Sequence, residues 1–125
     1  MFTHLMLGSN DVQRSKAFYD AALGALGIDP GFDMGHRVFY RGPGGALGVG
    51  KPANGDTATF SNGSTTGFAA ADMAAVDAFH TAGLTNGGSD EGAPGHRPNA
   101  PGKAYGAYLR DPDGNKICAF CQMPD

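Results

Sequence analysis

The sequence predicts an α+β fold of two similar halves packed as one domain over residues 1–125, and three observations carry that reading. Short apolar segments of β type and two helical segments appear in the same order twice. Residues of the two halves match at a constant offset of 61. The chain is also too short to support two independent cores. Module one is expected over about 1–61 and module two over about 62–125.

The segment Phe2 to Gly8 is short and apolar and reads as a strand. Ser9, Asn10 and Asp11 follow, and Asn10 with Gln13 has the spacing of a capping box, so a helix is expected to begin there. Val12, Ser15, Tyr19, Ala22 and Leu26, flanked by Phe18 and Leu23, recur at helical spacing and offer one face to a sheet. The helix should stop between Gly24 and Gly27. A breaker run, Asp29 to Gly35, separates it from a strand at His36 to Arg41, a turn at Gly42 to Gly45 and a strand at Ala46 to Gly50. Ala58 to Phe60 is the candidate for a further strand.

The order then returns. Thr65 to Ala70 reads as strand, Asp72 to Gly83 as helix, Ala104 to Arg110 as strand, Asp111 to Asn115 as turn and Lys116 to Phe120 as strand. The offset of 61 places Leu7 on Phe68, Asp11 on Asp72, Ala17 on Ala78, Phe18 on Phe79 and Leu23 on Leu84. An offset of 69 then matches Arg41, Pro43 and Gly45 with Arg110, Pro112 and Gly114. The change of offset requires an insertion, and the Gly- and Pro-rich run Leu84 to Lys103 supplies it. A connection of that length reads as a lid over a pocket, centred on Gly92 to Lys103.

Composition narrows the partners. Net charge is −3 with Lys+Arg 9 and no basic stripe, so nucleic acid is not expected as a partner. No window is long and apolar enough for a bilayer, and the first residues lack a cationic start or a small-residue cleavage site, so the expected location is the cytoplasm. The two cysteines, Cys118 and Cys121, lie an odd number of positions apart on an expected strand and so point to opposite faces, which argues against a bridge. Asp111 and Asp113 read as turn formers in DPDGN rather than as a catalytic acid pair.

The run Asp11 to Gly24, DVQRSKAFYDAALG, together with AVDAFHTAGL, GAPGHRP and YGAYLRDPDGNKICAFC in the second half, resembles the vicinal oxygen chelate superfamily, also called the glyoxalase/bleomycin resistance/dioxygenase family. The likeness extends over essentially the whole chain and is most specific from Gly92 to Cys121. It implies two βαβββ modules that form a curved mixed sheet, a ligand cavity between modules and, often, a homodimer. It also implies a divalent metal held by four side chains, one from the first and one from the last strand of each module, which polarises substrate oxygens.

Strand parity places Phe2, His4 and Met6 on the concave side, with Leu5 and Leu7 toward the helix. His4 thus stands at the first ligand position that the resemblance implies, and its repeat counterpart is Thr65. The acid expected after DPDGN is Cys118 here, with Phe120 on the same face, and its counterpart in module one is Gly48 or Val49. His4 is therefore the one good candidate for a metal ligand, and no cofactor is assigned. His4 can equally be a partly buried histidine bonded to backbone. Cys118 reads as a small buried hydrophobe rather than a nucleophile. His80 reads as a helix–sheet packing residue and His36 as a solvated edge. His96, beside Arg97 in the lid, suits contact with a polar or anionic ligand. Tyr105 and Tyr108 must point to opposite faces, so one of them lines the cavity.

These expectations converge on a protein that binds a small organic molecule in a pocket lined by Phe2, His4, Met6, Thr65, His96, Tyr105 or Tyr108, Cys118 and Phe120, without the full metal site. Two other readings stay open. One is a metal-dependent lyase, isomerase or dioxygenase with His4 as a ligand; the other is a metal-free enzyme that uses His4 or a tyrosine as acid/base.

Overall fold

The computed structural model describes residues 1–125, which form ten elements. Module one holds β1 (His4–Gly8), α1 (Val12–Gly24), β2 (Phe32–Asp33), β3 (Arg37–Gly42) and β4 (Gly45–Gly50). Module two holds β5 (Thr66–Ala69), α2 (Met73–Thr85), β6 (Ser89–His96), β7 (Ala104–Arg110) and β8 (Lys116–Gln122). The strands form two four-stranded mixed sheets, in the orders β1-β4-β3-β2 and β5-β8-β7-β6. Both modules are therefore βαβββ, with the first strand parallel to the last and the other pairs antiparallel. No helix is long and apolar enough to cross a membrane.

Three local expectations need correction. Asp11, not Asn10, caps α1: its backbone is extended and its carboxylate accepts from the Arg14 amide at 3.1 Å. Asn10 is used elsewhere, and its side-chain amide closes two bonds with the backbone of Ala58, at 2.7 and 3.0 Å. That pair pins the segment Ala58–Phe60, which is irregular and not a strand. The fourth strand of module one is instead β2, inside the breaker run, where Phe32 and Asp33 pair with Phe39 and Val38. The presumed lid likewise contains β6, an eight-residue strand that pairs with β7 through two register shifts around Gly92.

The repeat registers settle one alternative. Leu5 pairs with Leu47, and its counterpart Thr66 pairs with Ile117. The turn at 111–115 is one residue longer than the turn at 42–45, so the offset between modules becomes 70 beyond it. Gly48, not Val49, is the counterpart of Cys118.

Helix-facing residues of both sheets feed one core. Phe18, Tyr19, Ala22 and Leu23 of α1 and Phe79 of α2 pack with Val38, Tyr40, Leu47 and Val49 from one sheet and Leu109, Ile117 and Ala119 from the other. The remaining face of each sheet is consequently turned away from this shared core. Gly83 and Gly88 permit the close approach: a Cβ on either would strike Leu109 or Phe18. His80 is buried as a packing residue, with Nε2 2.8 Å from Asp90.

The DPDGN turn does more than reverse the chain. Asp111 accepts from the amides of Asp113 and Asn115, each at 2.9 Å, and Gly114 takes a positive φ of 89°. The same turn reaches module one: Asp113 accepts from the Asn10 amide, Arg14 and the Ser15 hydroxyl, and Asn115 donates to the Gly8 carbonyl.

Candidate functional site

On the sheet of module two, the face turned away from the core is built from β7 and β8. Tyr108 pairs with Cys118 and Gly106 with Phe120, so all four project to one side. The Phe120 ring lies over Gly106, where a Cβ would come within 2.6 Å of it, and meets the Tyr108 ring edge to face at 5.7 Å. Cys118 is buried beneath, and burial pushes its thiol up to about 11 against the weaker pull of Lys116. It stands in this face as a neutral thiol.

Two cations complete the face. The Arg97 guanidinium carbon lies 5.6 Å from the centre of the Tyr108 ring and the Lys116 ammonium 5.1 Å from it. Arg97 reaches the ring across β6 because Gly92 and Gly95 leave room: a Cβ on either would sit 3.1–3.2 Å from its guanidinium nitrogens. A cavity of about 340 Å³ opens beside it, lined by Arg97, Pro98, Asn99, Ala100 and Tyr108.

The parity question about the tyrosines is thereby answered. Tyr105 lies on the helix side, packs with Val76, Ala107 and Cys121, and donates its hydroxyl to Asp77 at 2.6 Å. His96 pairs with Tyr105, so it shares that side, and its neighbour Arg97 takes the opposite one. Cys118 and Cys121 are both free and sit on opposite faces.

In module one the corresponding face carries His4, Met6 and Phe39. Met6 and Phe39 both pair with Gly48, and their side chains close over it: a Cβ there would lie 2.8 Å from the Met6 methyl and 2.8 Å from the Phe39 ring. Phe32, paired with Phe39, is 70% exposed, and Met6 is 46% exposed. His4 is exposed, with Nδ1 2.8 Å from the Thr3 hydroxyl. Thr65 is exposed just ahead of β5.

The four metal-ligand positions implied by the resemblance are thus His4, Gly48, Thr65 and Cys118. One offers imidazole, one a hydroxyl, one a protonated thiol and one no side chain, with the space above it already filled by Met6 and Phe39. This set does not fit a divalent cation, which takes deprotonated or neutral strong donors in fixed number. No cluster of three or more His, Cys, Asp or Glu side chains offers another.

The expected lining residues therefore fall into separate places. Tyr108, Cys118 and Phe120 are together; Met6 lies on the other module's sheet. Phe2 and His4 line a separate cavity of about 370 Å³ at the seam between β1 and β5, where Leu23, Leu26, Ile28 and Phe68 supply apolar walls. The sequence reading missed Lys116, Phe39 and the direction of Arg97. Signals for all three exist: Lys116 is two residues from Cys118 and shares its face, Phe39 is the counterpart of Tyr108 at offset 69, and Arg97 is one residue out of phase with His96.

Comparison with known proteins bears on the whole chain. A sequence profile described as the Glyoxalase/Bleomycin resistance protein/Dioxygenase superfamily matches residues 2–119. No curated protein matches. Among solved structures, a glyoxalase/bleomycin resistance protein from Albidiferax ferrireducens is 58% identical, with a TM-score of 0.92 over 96% of this chain and 98% of that one. A glyoxalase-related enzyme from Fulvimarina pelagi is 18% identical, with a TM-score of 0.77 over 96% and 86% of the two chains. A lactoylglutathione lyase from Agrobacterium tumefaciens is 23% identical, with a TM-score of 0.66 over 96% and 92%. The last two likenesses concern the fold alone.

Proposed function

Because the chain belongs to the glyoxalase/bleomycin resistance protein/dioxygenase superfamily, we propose that it is a member that binds a small organic molecule on the sheet faces turned away from its core, without the four-donor metal site. The observation that carries this reading is Gly48. The position that would supply one ligand has no side chain, and Met6 and Phe39 occupy the space an acid there would need. The apolar face of Tyr108, Cys118 and Phe120, edged by a few polar groups, has the composition of a small-molecule site.

The two outward faces support a homodimer on the same reading. A second copy would lay its Met6–Phe39 face over the Tyr108–Phe120 face and cover exposed apolar surface such as Phe32. Free thiols at Cys118 and Cys121 suit the reducing cytoplasm.

The test is a thermal-stability screen of the purified full chain against a broad library of small organic molecules, with metal content measured on the same preparation. Stabilisation by library members that chelators leave unchanged, and substoichiometric metal, are expected. Near-stoichiometric metal bound with loss on His4→Ala, or no stabilisation by any compound, would overturn the proposal. Light scattering should report twice the chain mass.

A further inference from the structure

Resting on the small-molecule reading, we infer that the ligand is an organic anion: Arg97 and Lys116 take its charged group at Tyr108, and its flat apolar body lies along the Tyr108–Phe120 pair. Both cations converge on a single ring, at 5.6 and 5.1 Å from its centre. Neither belongs to any ion pair of the molecule. The chain is acidic overall, with Asp+Glu 12 against Lys+Arg 9, yet two cations without an acidic partner stand at one aromatic ring.

The acids of the neighbouring strand are committed elsewhere. Asp90 holds His80 and the Gly92 amide, and Glu91 pairs with Arg110 at 3.1 Å. Arg97 uses one guanidinium nitrogen on the Ala93 carbonyl at 2.6 Å, which anchors the group and leaves its other donors free. Gly92 and Gly95 are the residues that let the guanidinium lie there at all.

The cavity beside Arg97 and Tyr108 adds room and one more polar group. Its volume, about 340 Å³, is in the range of small-ligand sites, and Asn99 lines it with Arg97 and Tyr108. The buried thiol of Cys118 and the Phe120 ring next to Tyr108 make the adjoining surface apolar and suited to a planar body rather than to a hydrated inorganic ion.

Calorimetric titration of the full chain with a panel of aromatic carboxylates, each paired with its uncharged amide (benzoate with benzamide as the first pair), tests this. At least one acid should bind tenfold or more tightly than its amide, since a hydrogen bond to a charged group is worth about a tenfold change or more. Arg97→Gln and Lys116→Gln should each remove most of that difference, and added salt should weaken the acid only. Arg97→Lys, which keeps the charge and loses the fork, should retain part of it. Chemical shifts of the Tyr108 ring should move on binding.

Acids that bind no more tightly than their amides, or a preference that survives both Gln variants, would overturn the inference. If neutral compounds bind and stabilise the chain while the acids show no advantage, this inference falls and the small-molecule reading stands. If no organic compound binds, both fall.

Discussion

The Tyr19 hydroxyl donates to the Asp111 carboxylate at 2.6 Å, joining the middle of α1 to the β7–β8 turn across 92 residues of chain. Both groups are buried, and Asn115 donates to the same carboxylate oxygen at 2.8 Å. Tyr19→Phe should lower unfolding stability by about 1.5–3 kcal/mol, the scale of a buried hydrogen bond to a charged group. Asp111→Ala should cost more, because it strands the Tyr19 and Asn115 donors together. Urea denaturation of the two variants checks the ranking; equal stability of Asp111→Ala and the parent chain would show that the contact has no energetic role.

Gly48 should tolerate no larger residue while Met6 and Phe39 keep their places. Gly48→Ala is expected to destabilise by about 1 kcal/mol, the low end of the cost of overpacking, because the exposed end of Met6 can move while the Phe39 ring must shift. Met6→Ala in the same chain should recover part of it, because Met6 is one of the two side chains that close over the glycine. Additive losses in the double variant would mean that Met6 is not what fills the space.

The cysteines should be slow to alkylate. Burial holds the Cys118 thiol at about 11, and burial followed by Asp72 and Asp77 raises Cys121 as well. Iodoacetamide at about pH 7.5 should therefore label both far more slowly in the folded chain than in urea, as read by peptide mass spectrometry. Rapid labelling of Cys118 would reveal an activated nucleophile in the face beside Tyr108.

Stability should fall on the alkaline side. Burial first, and then the carboxylates they donate to, hold the Tyr19 and Tyr40 phenols above their ordinary value; Tyr40 donates to Asp20 at 2.7 Å. Each group, like Cys118, keeps its proton in the folded chain where the unfolded chain has lost it. Their contribution is whole below the unfolded values, roughly 8.5 for Cys and 10 for Tyr, and is lost as pH rises through the folded ones. The urea midpoint should thus hold between about pH 6 and 8 and decline from about pH 9 to 11. Tyr40→Phe should flatten the upper part of that decline, and an unchanged slope would remove Tyr40 as a contributor.

The elements that sequence made legible are those with strong periodicity. Both helices, the buried face of α1 and the four strands flanking the two hairpin turns followed from spacing of residues such as Phe18, Tyr19 and Leu23. β2 and β6 did not, because a strand held mainly by backbone pairing can be written in Gly and Pro residues that carry no alternation, as Gly92 and Gly95 do. Parity separated Tyr105 from Tyr108 but could not orient them, since orientation is set by which side α2 packs on. Asp111 and Asp113 form the turn that DPDGN predicts, while their bonds to Tyr19, Arg14 and Ser15 are long-range and leave no mark in local spacing.

The unequal hairpins have one more effect. The groups on α1 that hold the DPDGN turn are Arg14, Ser15 and Tyr19, and at the same places on α2 stand Ala75, Val76 and His80. The hairpin of module one, Gly42 to Gly45, has nothing to send across in return. Each half owns one side of a lock. A protein assembled from two copies of either half would keep the chain plan and lose the fastening, so near-symmetry of outline here coexists with halves that cannot trade places.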